Sequence, residues 1–325
     1  MEIVRRLWIA TALLVAGCSG RQGTNVRLAL QPPSTNNYPS YLAEWLGFYR
    51  AEGVDVAISQ IAGASKVLEA VVGGSADVGG GVYEQTIQMA AEGRDVECFV
   101  SLLRSPNFAL VSRRAKTIAE LRGKSVGVSS VGSPSQFYLN YILIGAGMRP
   151  DDVSTVSIGM GATAIAALEH AQVDAAMVFG SAITAFESRN RDAVLLADAR
   201  TADGLKRIFG VEDYPASCLL ARGEWLRANP ETAAKLARAV LKSLAWIREH
   251  SAEEILAQVP AEFRAGDQAA ELQAIRMAKP MYSVDGRIDA ESAEAVCKVL
   301  AGSVDRVRDA KIDLGRTYTN QFVTR

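Results

Sequence analysis

The 325-residue chain is poor in the residue types that build metal centres. It has two histidines, His170 and His250, and four cysteines, none of them in a CxxC pair. The chain therefore has few residues that could form a Cys/His metal site, and we expect neither a metal nor a cofactor. Once Cys18 is set aside, three widely spaced cysteines remain. An odd set of this kind is not a disulfide framework and allows at most one bridge.

The chain also lacks an excess of charge of one sign. The 35 Lys and Arg residues nearly balance the 36 Asp and Glu residues, and the net charge is −1. Because a nucleic-acid binder needs a basic face, we exclude nucleic acid as a partner. The acidic residues are dispersed, and neither histidine has a Ser or Cys near it in a nucleophile-elbow context, so paired-carboxylate and nucleophile-elbow chemistry lack support. We predict that the protein is not an enzyme.

The N-terminal segment differs in composition from the rest. Arg5 and Arg6 precede an apolar run over residues 7–15, which is too short to span a bilayer and is typical of a secretory signal. The following Val-Ala-Gly-Cys resembles a bacterial lipobox, which implies that residues 1–18 are a lipoprotein signal peptide. Cys18 would then be acylated, and the exported protein would be lipid-anchored at a membrane, facing the periplasm or the cell exterior. The alternative is an ordinary signal peptide cut nearby, with Cys18 incidental.

From residue 25, short β-rich runs alternate with longer amphipathic patterns. The first series predicts three strands and two intervening helices, over residues 26–30, 40–52, 54–58, 65–73 and 76–79. A second series starts near residue 116, and long helical patterns follow residue 230. Such alternation indicates βαβ units with parallel sheets, and the length suits two domains.

Five segments together resemble a known family. They are residues 39–56 (PSYLAEWLGFYRAEGVDV), 73–79 (GGSADVG), 118–128 (IAELRGKSVGV), 167–176 (ALEHAQVDAA) and 312–323 (IDLGRTYTNQFV). In this order they are similar to the nitrate/sulfonate/taurine-type solute-binding proteins of ABC transporters. That family is related to proteins that bind the thiamine pyrimidine precursor.

The resemblance implies an α/β chain with the type II periplasmic-binding-protein fold. In that fold two Rossmann-like lobes enclose a ligand cleft and are joined by a double crossover hinge. We expect a discontinuous lobe one over residues 25–113 and 216–325, and lobe two over residues 114–215. The expected crossings lie near residues 112–116 and 213–221.

The most informative local motif is SSVGSPSQ over residues 129–136, between a predicted strand and a predicted helix. Ser133 suits the N-cap, Pro134 the first helical position, and Gln136 a capping box. A helix N-terminus rich in hydroxyls is also a good seat for a carboxylate, a sulfonate or a similar acceptor. The alternative is that these residues only cap the helix. The residues predicted to bind ligand here are Ser130, Gly132, Ser133 and Ser135.

Further candidates follow the other predicted strands. Tyrosines in these loops could stack on a planar solute, and glycines could let the backbone approach it, although tight turns and core tyrosines would give the same pattern. Some relatives have a Trp or a Pro-containing segment where Phe179-Gly180-Ser181 stands, so no particular ligand carries over. The candidates in lobe one are Gln31, Tyr38, Gly63, Ser65, Gly81 and Tyr83, and those in lobe two are Phe179 and Ser181.

These features predict a monomeric protein that captures a small molecule and delivers it to ABC permease subunits in the membrane. Sulfonate, nitrate, taurine-like, aromatic acid and pyrimidine-precursor solutes all remain open. One alternative is a ligand-sensing receptor without transport. Another is a biosynthetic enzyme on the same fold, although the histidine-rich active segments of such enzymes are missing here.

Overall fold

The computed structural model describes residues 24–264 and 268–323. The predicted signal peptide and the lipidation residue Cys18 lie outside these residues. The strands are β1 (Thr24–Leu30), β2 (Val54–Gln60), β3 (Val78–Val82), β4 (Val96–Ser101), β5 (Phe108–Ser112), β6 (Ser125–Val128), β7 (Ser154–Ser157), β8 (Ala175–Phe179), β9 (Val194–Asp198) and β10 (Ser217–Arg222).

Helices pack on both sheets, and none in the described ranges is both long and apolar enough to cross a membrane. They are α1 (Tyr38–Trp45), α2 (Phe48–Ala51), α3 (Ala64–Val72), α4 (Tyr83–Ala91), α5 (Pro134–Gly145), α6 (Ala162–Glu169), α7 (Ser181–Arg189), α8 (Ala202–Phe209), α9 (Gly223–Ala228), α10 (Pro230–Glu249), α11 (Ala252–Gln258), α12 (Gln268–Ala278), α13 (Ala290–Ala301) and α14 (Asp305–Asp309).

The strands form two five-stranded sheets, in the orders β2-β1-β3-β10-β4 and β7-β6-β8-β5-β9. We call the body around the first sheet lobe one and the body around the second lobe two. Each sheet has the predicted parallel core, β2-β1-β3 or β7-β6-β8. Each sheet is mixed beyond this parallel core, because β10 and β5 run antiparallel to both of their neighbours. These two strands are the first that the chain forms after passing from one lobe to the other.

The first passage between the lobes lies earlier than predicted. Strand β5 was expected to end lobe one, but it pairs with β8 and β9 in the second sheet. The chain therefore leaves lobe one over residues 102–107 and returns over residues 210–216. Every residue of β5 is buried, so its apolar sequence shows that it is an interior strand without showing which sheet it joins.

The helix predicted over residues 40–52 is divided in two. Gly47 has φ 72°, in the left-handed region, and separates α1 from α2. Glycine adopts this conformation without the penalty that a Cβ would bring, so the chain turns between two amphipathic pieces that share one pattern. Helix α10 packs against both pieces and closes this side of lobe one.

The largest buried cluster joins the two lobes. It includes Tyr83 and Ile87 from α4 of lobe one together with Tyr138 and Leu139 from α5 of lobe two. Helices α13 and α5 also pack across the same junction, and α12 of lobe one packs on α7 of lobe two. The contact between the lobes is therefore partly a hydrophobic core, which resists free separation.

Candidate functional site

The loops that follow β1 and β8 converge on Asn107, at the end of the first passage. The Asn107 Nδ2 donates to Asn36 Oδ1 of lobe one at 3.3 Å, and its carbonyl accepts from the Gly180 N–H of lobe two at 3.1 Å. Asn107 is 3% exposed and has φ 51°, a left-handed conformation that asparagine tolerates better than most residues. The carboxyl ends of the two parallel cores thus meet at this residue, which sequence reasoning did not select.

Three serine hydroxyls cluster where β6 gives way to α5. The Oγ atoms of Ser129, Ser133 and Ser135 lie 3.0, 2.9 and 2.7 Å from one another, and we call this group the serine triangle. The Ser129 N–H also donates to Ser135 Oγ at 2.9 Å, which fixes the loop against the helix. Hydroxyls can both donate and accept, so the triangle can turn its protons toward an acceptor at the positive end of α5.

The predicted cap of α5 is only partly right. Ser133 is the N-cap residue and Pro134 follows at the first helical position, but the Ser133 hydroxyl makes no capping bond. Gln136 Oε1 accepts from the Gly132 N–H at 2.6 Å, so the capping box is wrong. The reason is the left-handed turn at Gly132, with φ 80°, together with the two serines that engage the Ser133 hydroxyl.

The loop after β7 is tied to the serine triangle. The Gly159 N–H donates to the Ser129 carbonyl at 3.2 Å, and the Val131 N–H donates to Ser157 Oγ at 3.0 Å. On these two linked loops Val131 is 61% exposed and Met160 is 58% exposed. The two loops that meet at the serine triangle therefore also carry two open apolar side chains. Sequence reasoning missed both, because single apolar residues in loops carry no periodic signal.

Three other predicted residues of lobe two lie near this edge. Ser130 is exposed, and its carbonyl accepts from the Ser133 N–H at 3.2 Å. Phe179, at the end of β8, is half-buried, with its ring centroid 6.0 Å from that of Phe108. Ser181 is the first residue of α7, directly after Gly180.

Gln31 in the loop after β1 and Tyr38 at the start of α1, both predicted to bind ligand, form hydrogen bonds within lobe one. The Gln31 carbonyl accepts from Asn37 Nδ2 and from the Tyr41 hydroxyl, both at 2.9 Å. The Tyr38 hydroxyl donates to Glu271 Oε1 of α12 at 3.0 Å. Burial is the main cause that raises the pKa of the Tyr38 hydroxyl well above its ordinary value, and the nearby Glu271 carboxyl adds to it. Tyr38 thus joins α1 to α12, the helix that reaches lobe two.

Of the remaining residues predicted in lobe one, two are exposed and two are buried. Gly63, with φ 98°, and Ser65 in the first turn of α3 are both exposed. At Gly81 a Cβ would lie 2.5 Å from Leu220 Cδ2 and 2.6 Å from Gln85 Oε1, so this glycine permits tight packing of β3. Tyr83 is 0% exposed, and its hydroxyl lies 2.6 Å from Thr317 Oγ1. Tyr83 therefore belongs to the core of lobe one and not to an open edge.

A buried carboxyl that the sequence did not reveal joins the lobes. Glu84, in the first turn of α4, is 2% exposed. Its Oε1 accepts from the hydroxyl of Tyr138 on α5 and, at 3.3 Å, from that of Tyr214 in the second passage. Burial raises the pKa of the Glu84 carboxyl to about 7. Its Oε2 has no hydrogen-bond partner among the residues that the structure describes.

Arg104 and the two histidines lie outside this edge, where each is ion-paired, stacked or exposed. Arg104 Nε lies 2.5 Å from Asp213 Oδ1, so an ion pair joins the two passages between the lobes. His250 stacks on Trp246 with ring centroids 4.0 Å apart, and His170 is exposed at the end of α6. Within the described ranges no three His, Cys, Asp or Glu residues are grouped so as to hold a metal ion.

Residues 34–254 match the family described as NMT1/THI5 like. One relative is a Saccharomyces cerevisiae protein named 4-amino-5-hydroxymethyl-2-methylpyrimidine phosphate synthase THI13, 25% identical over 226 residues. That match covers 66% of this chain and 64% of the yeast protein, so the chain spans slightly less than two thirds of its length. The putative binding protein YtlA of Bacillus subtilis is 25% identical over 255 residues, which cover 74% of this chain and 71% of YtlA.

Solved structures share the architecture. A protein from Bordetella bronchiseptica is 35% identical with a TM-score of 0.80, covering 93% of this chain and 96% of its own. The aliphatic sulphonate binding protein SsuA of Escherichia coli is 20% identical with a TM-score of 0.73, covering 93% and 99%. The nitrate-binding protein NrtA of Synechocystis is 16% identical with a TM-score of 0.66, covering 93% and 87%. The predicted periplasmic-binding-protein fold is confirmed.

Proposed function

Because the chain belongs to the NMT1/THI5-like family, we propose that it is an exported solute-binding protein that delivers a small solute to the permease of an ABC importer. The observation that carries this proposal is the edge of lobe two, where the serine triangle lies on two linked loops that also expose the apolar side chains of Val131 and Met160. Ligands of open α/β sheets bind at the carboxyl ends of strands, which is where this edge lies.

The solute that fits this edge has an acceptor-bearing head and a short apolar body. The hydroxyls of the serine triangle can donate to carboxylate, sulfonate or amide oxygens, and the N-terminus of α5 favours negative charge. Val131 and Met160 would cover a few methylene groups or one face of a ring. Aliphatic sulfonates, aromatic acids and pyrimidine precursors meet both requirements, whereas nitrate meets only the first.

Export and anchoring rest on the N-terminal segment. In this proposal residues 1–18 direct export, and the acylated Cys18 holds a monomeric protein at the membrane beside its permease. Cells expressing the chain would place it in the membrane fraction, and Cys18→Ala would release it or leave it unprocessed. A protein that has the same size and the same fractionation with either residue at position 18 would contradict lipid anchoring.

The solute is tested by thermal unfolding against a panel of sulfonates, nitrate, aromatic acids, pyrimidines and amides. A ligand that binds only the folded state raises the midpoint with concentration. Ser133→Ala should lose most of that rise. Ser154→Ala is the matched control, because Ser154 is an exposed serine at the opposite end of the same sheet. If no compound raises the midpoint, or both variants respond alike, the proposed site is wrong.

The names of the yeast relatives favour a second candidate, a pyrimidine phosphate synthase. The two functions differ in the fate of the bound compound, because a binding protein returns it unchanged and a synthase does not. Mass spectrometry of the released compound after prolonged incubation separates them. A sensing receptor differs again, because deleting its gene would leave uptake of the bound compound intact.

A further inference from the structure

Glu84 occupies the junction of three parts of the chain. Its own helix α4 belongs to lobe one, Tyr138 lies on α5 of lobe two, and Tyr214 lies in the second passage between the lobes. Both hydroxyls donate to the same oxygen, Glu84 Oε1, so this contact depends on the relative position of the lobes. Tyr138 is also one turn beyond Ser135, so the helix that Glu84 holds is the one that begins at the serine triangle.

The surroundings of the carboxyl are aromatic and uncharged. The Tyr138 ring stacks on Phe108 with centroids 4.8 Å apart, and Tyr214 packs on Phe209 with centroids 4.3 Å apart. The other titratable group that Glu84 acts on is the thiol of Cys218 on β10.

The remaining elements that pack on α4 are α13, α14, β3 and β4. Their charged side chains include Glu97 on β4 and Glu291, Glu294 and Lys298 on α13, but burial and the Tyr138 and Tyr214 hydroxyls, and no charged group, shift the pKa of Glu84. An ion pair joins Arg306 of α14 to Glu92 at 3.2 Å, more than two turns beyond Glu84. A buried carboxylate held by neutral donors is more costly than one beside a cation, because hydroxyls replace only part of its hydration.

We propose that Glu84 is a latch between the two lobes whose protonation sets how readily they part. In the joined state the carboxyl is enclosed by both lobes and binds the two tyrosine hydroxyls. Parting the lobes withdraws Tyr138 and admits water to the carboxyl. The latch is a property of the lobes themselves, and only its consequence for solute release rests on the proposed function.

The direction of the pH dependence follows from burial. The enclosed carboxyl has its pKa raised from 4.5 to about 7, and a hydrated one would return toward the lower value. Between these values the joined state holds more protons than the parted state. The joined state is therefore favoured at acid pH, and the advantage is lost as the pH rises through about 7. Within this window the ratio of joined to parted molecules falls by up to roughly tenfold per pH unit.

The consequence for solute binding has the same sign. A solute held between the lobes is bound most tightly by molecules whose lobes can join, so its apparent affinity falls as the joined fraction falls. Capture would then be stronger in an acidified exterior than at alkaline pH.

Small-angle X-ray scattering of the full chain, with Cys18→Ser to prevent acylation and without added solute, tests the latch. The radius of gyration should increase as the pH rises from about 5 and should level off above about 7, over a measured range that extends to about 8.5. In Glu84→Gln, which keeps the shape without the charge, it should stay at the compact value throughout. Glu69→Gln is the control, because Glu69 is an exposed glutamate on α3 of the same lobe. It should follow the unsubstituted chain.

Two results would overturn the proposal. One is a radius of gyration that does not change with pH in the unsubstituted chain, and the other is a Glu84→Gln variant that expands over the same pH range. If Glu84→Gln fails to fold, Tyr138→Phe replaces it, because the ring can still stack on Phe108 while one donor to the carboxylate is lost. This variant should expand further at alkaline pH than the unsubstituted chain, and equal expansion would count against the latch. Since no solute is present, failure here leaves the proposed transport function untouched.

Discussion

Strand for strand, β2-β1-β3-β10-β4 in lobe one corresponds to β7-β6-β8-β5-β9 in lobe two. The two lobes nevertheless differ in the loops at the carboxyl ends of their parallel strands. In lobe one, Gly81 and Tyr83 are packed into the interior, and Tyr38 is bonded to α12. In lobe two the linked loops after β6 and β7 expose Val131 and Met160, while Gly63 and Ser65 are exposed after β2 in lobe one.

The difference follows from what covers each sheet. Lobe one receives the C-terminal helices α10 to α14, whereas in lobe two the helices of residues 108–209 are joined by contacts from α12 and α13. Thr317, from the last described segment, holds the hydroxyl of Tyr83. In the proposed function lobe one therefore forms a closed wall and lobe two presents the surface that recognises the solute. The variants below test this contrast between the lobes.

The largest effect on stability is expected at Gly81. A Cβ there would lie 2.5 Å from Leu220 and 2.6 Å from Gln85, so Gly81→Ala forces neighbouring side chains to move and should cost about 1–3 kcal/mol. Gly145→Ala on α5 of lobe two is the control, since nothing lies within 4 Å of its Cβ position. It should be neutral or slightly stabilising. Urea unfolding measures the stability of both variants, and equal losses of stability would contradict the difference between the lobes.

A smaller loss is expected when the hydroxyl of Tyr83 is removed. Tyr83→Phe leaves Thr317 without this partner inside lobe one, at a cost of about 1 kcal/mol in the free energy of unfolding. Tyr141→Phe, at a half-buried tyrosine of lobe two, serves as the comparison. If Tyr83→Phe leaves stability intact but abolishes the response to solute, the wall is itself part of the site.

The two edges can be compared directly through serine. Ser65 of lobe one and Ser133 of lobe two each stand at the start of a helix that follows a parallel strand. Both alanine variants should change the free energy of unfolding by no more than about 0.5–1 kcal/mol. Ser133→Ala should reduce the solute-induced rise in the unfolding midpoint more than Ser65→Ala does. The reverse order would move the recognition surface to lobe one.

The smallest effect on stability is expected at Val131. Its side chain is 61% exposed, so Val131→Ser should change the free energy of unfolding by less than about 0.5 kcal/mol. Titration calorimetry with two homologous solutes of different chain length should show a few-fold weaker binding, and mainly for the longer one. Equal weakening for both would mean that Val131 does not contact the apolar body.

The sequence was sufficient for the parallel cores, because strands such as β1 and β2 are separated by helices with clear amphipathic patterns. It was not sufficient for β5 and β10, since pairing after a passage between lobes depends on contacts far apart in the chain. The segment over residues 129–136 was recognised from its composition, but the bonds among its serines depend on the turn at Gly132. Glu84 carried no local signal, because its partners lie 54 and 130 residues away.

The position of β10 bears on the order in which the protein can be completed as it is made. All strands of lobe two, β5 to β9, precede β10 in the chain, so the second sheet can be complete before β10 is synthesised. Lobe one begins first, yet β4 has no place in its sheet until β10 arrives to lie between β3 and β4. A chain that emerges from its N-terminus therefore finishes its second lobe before its first.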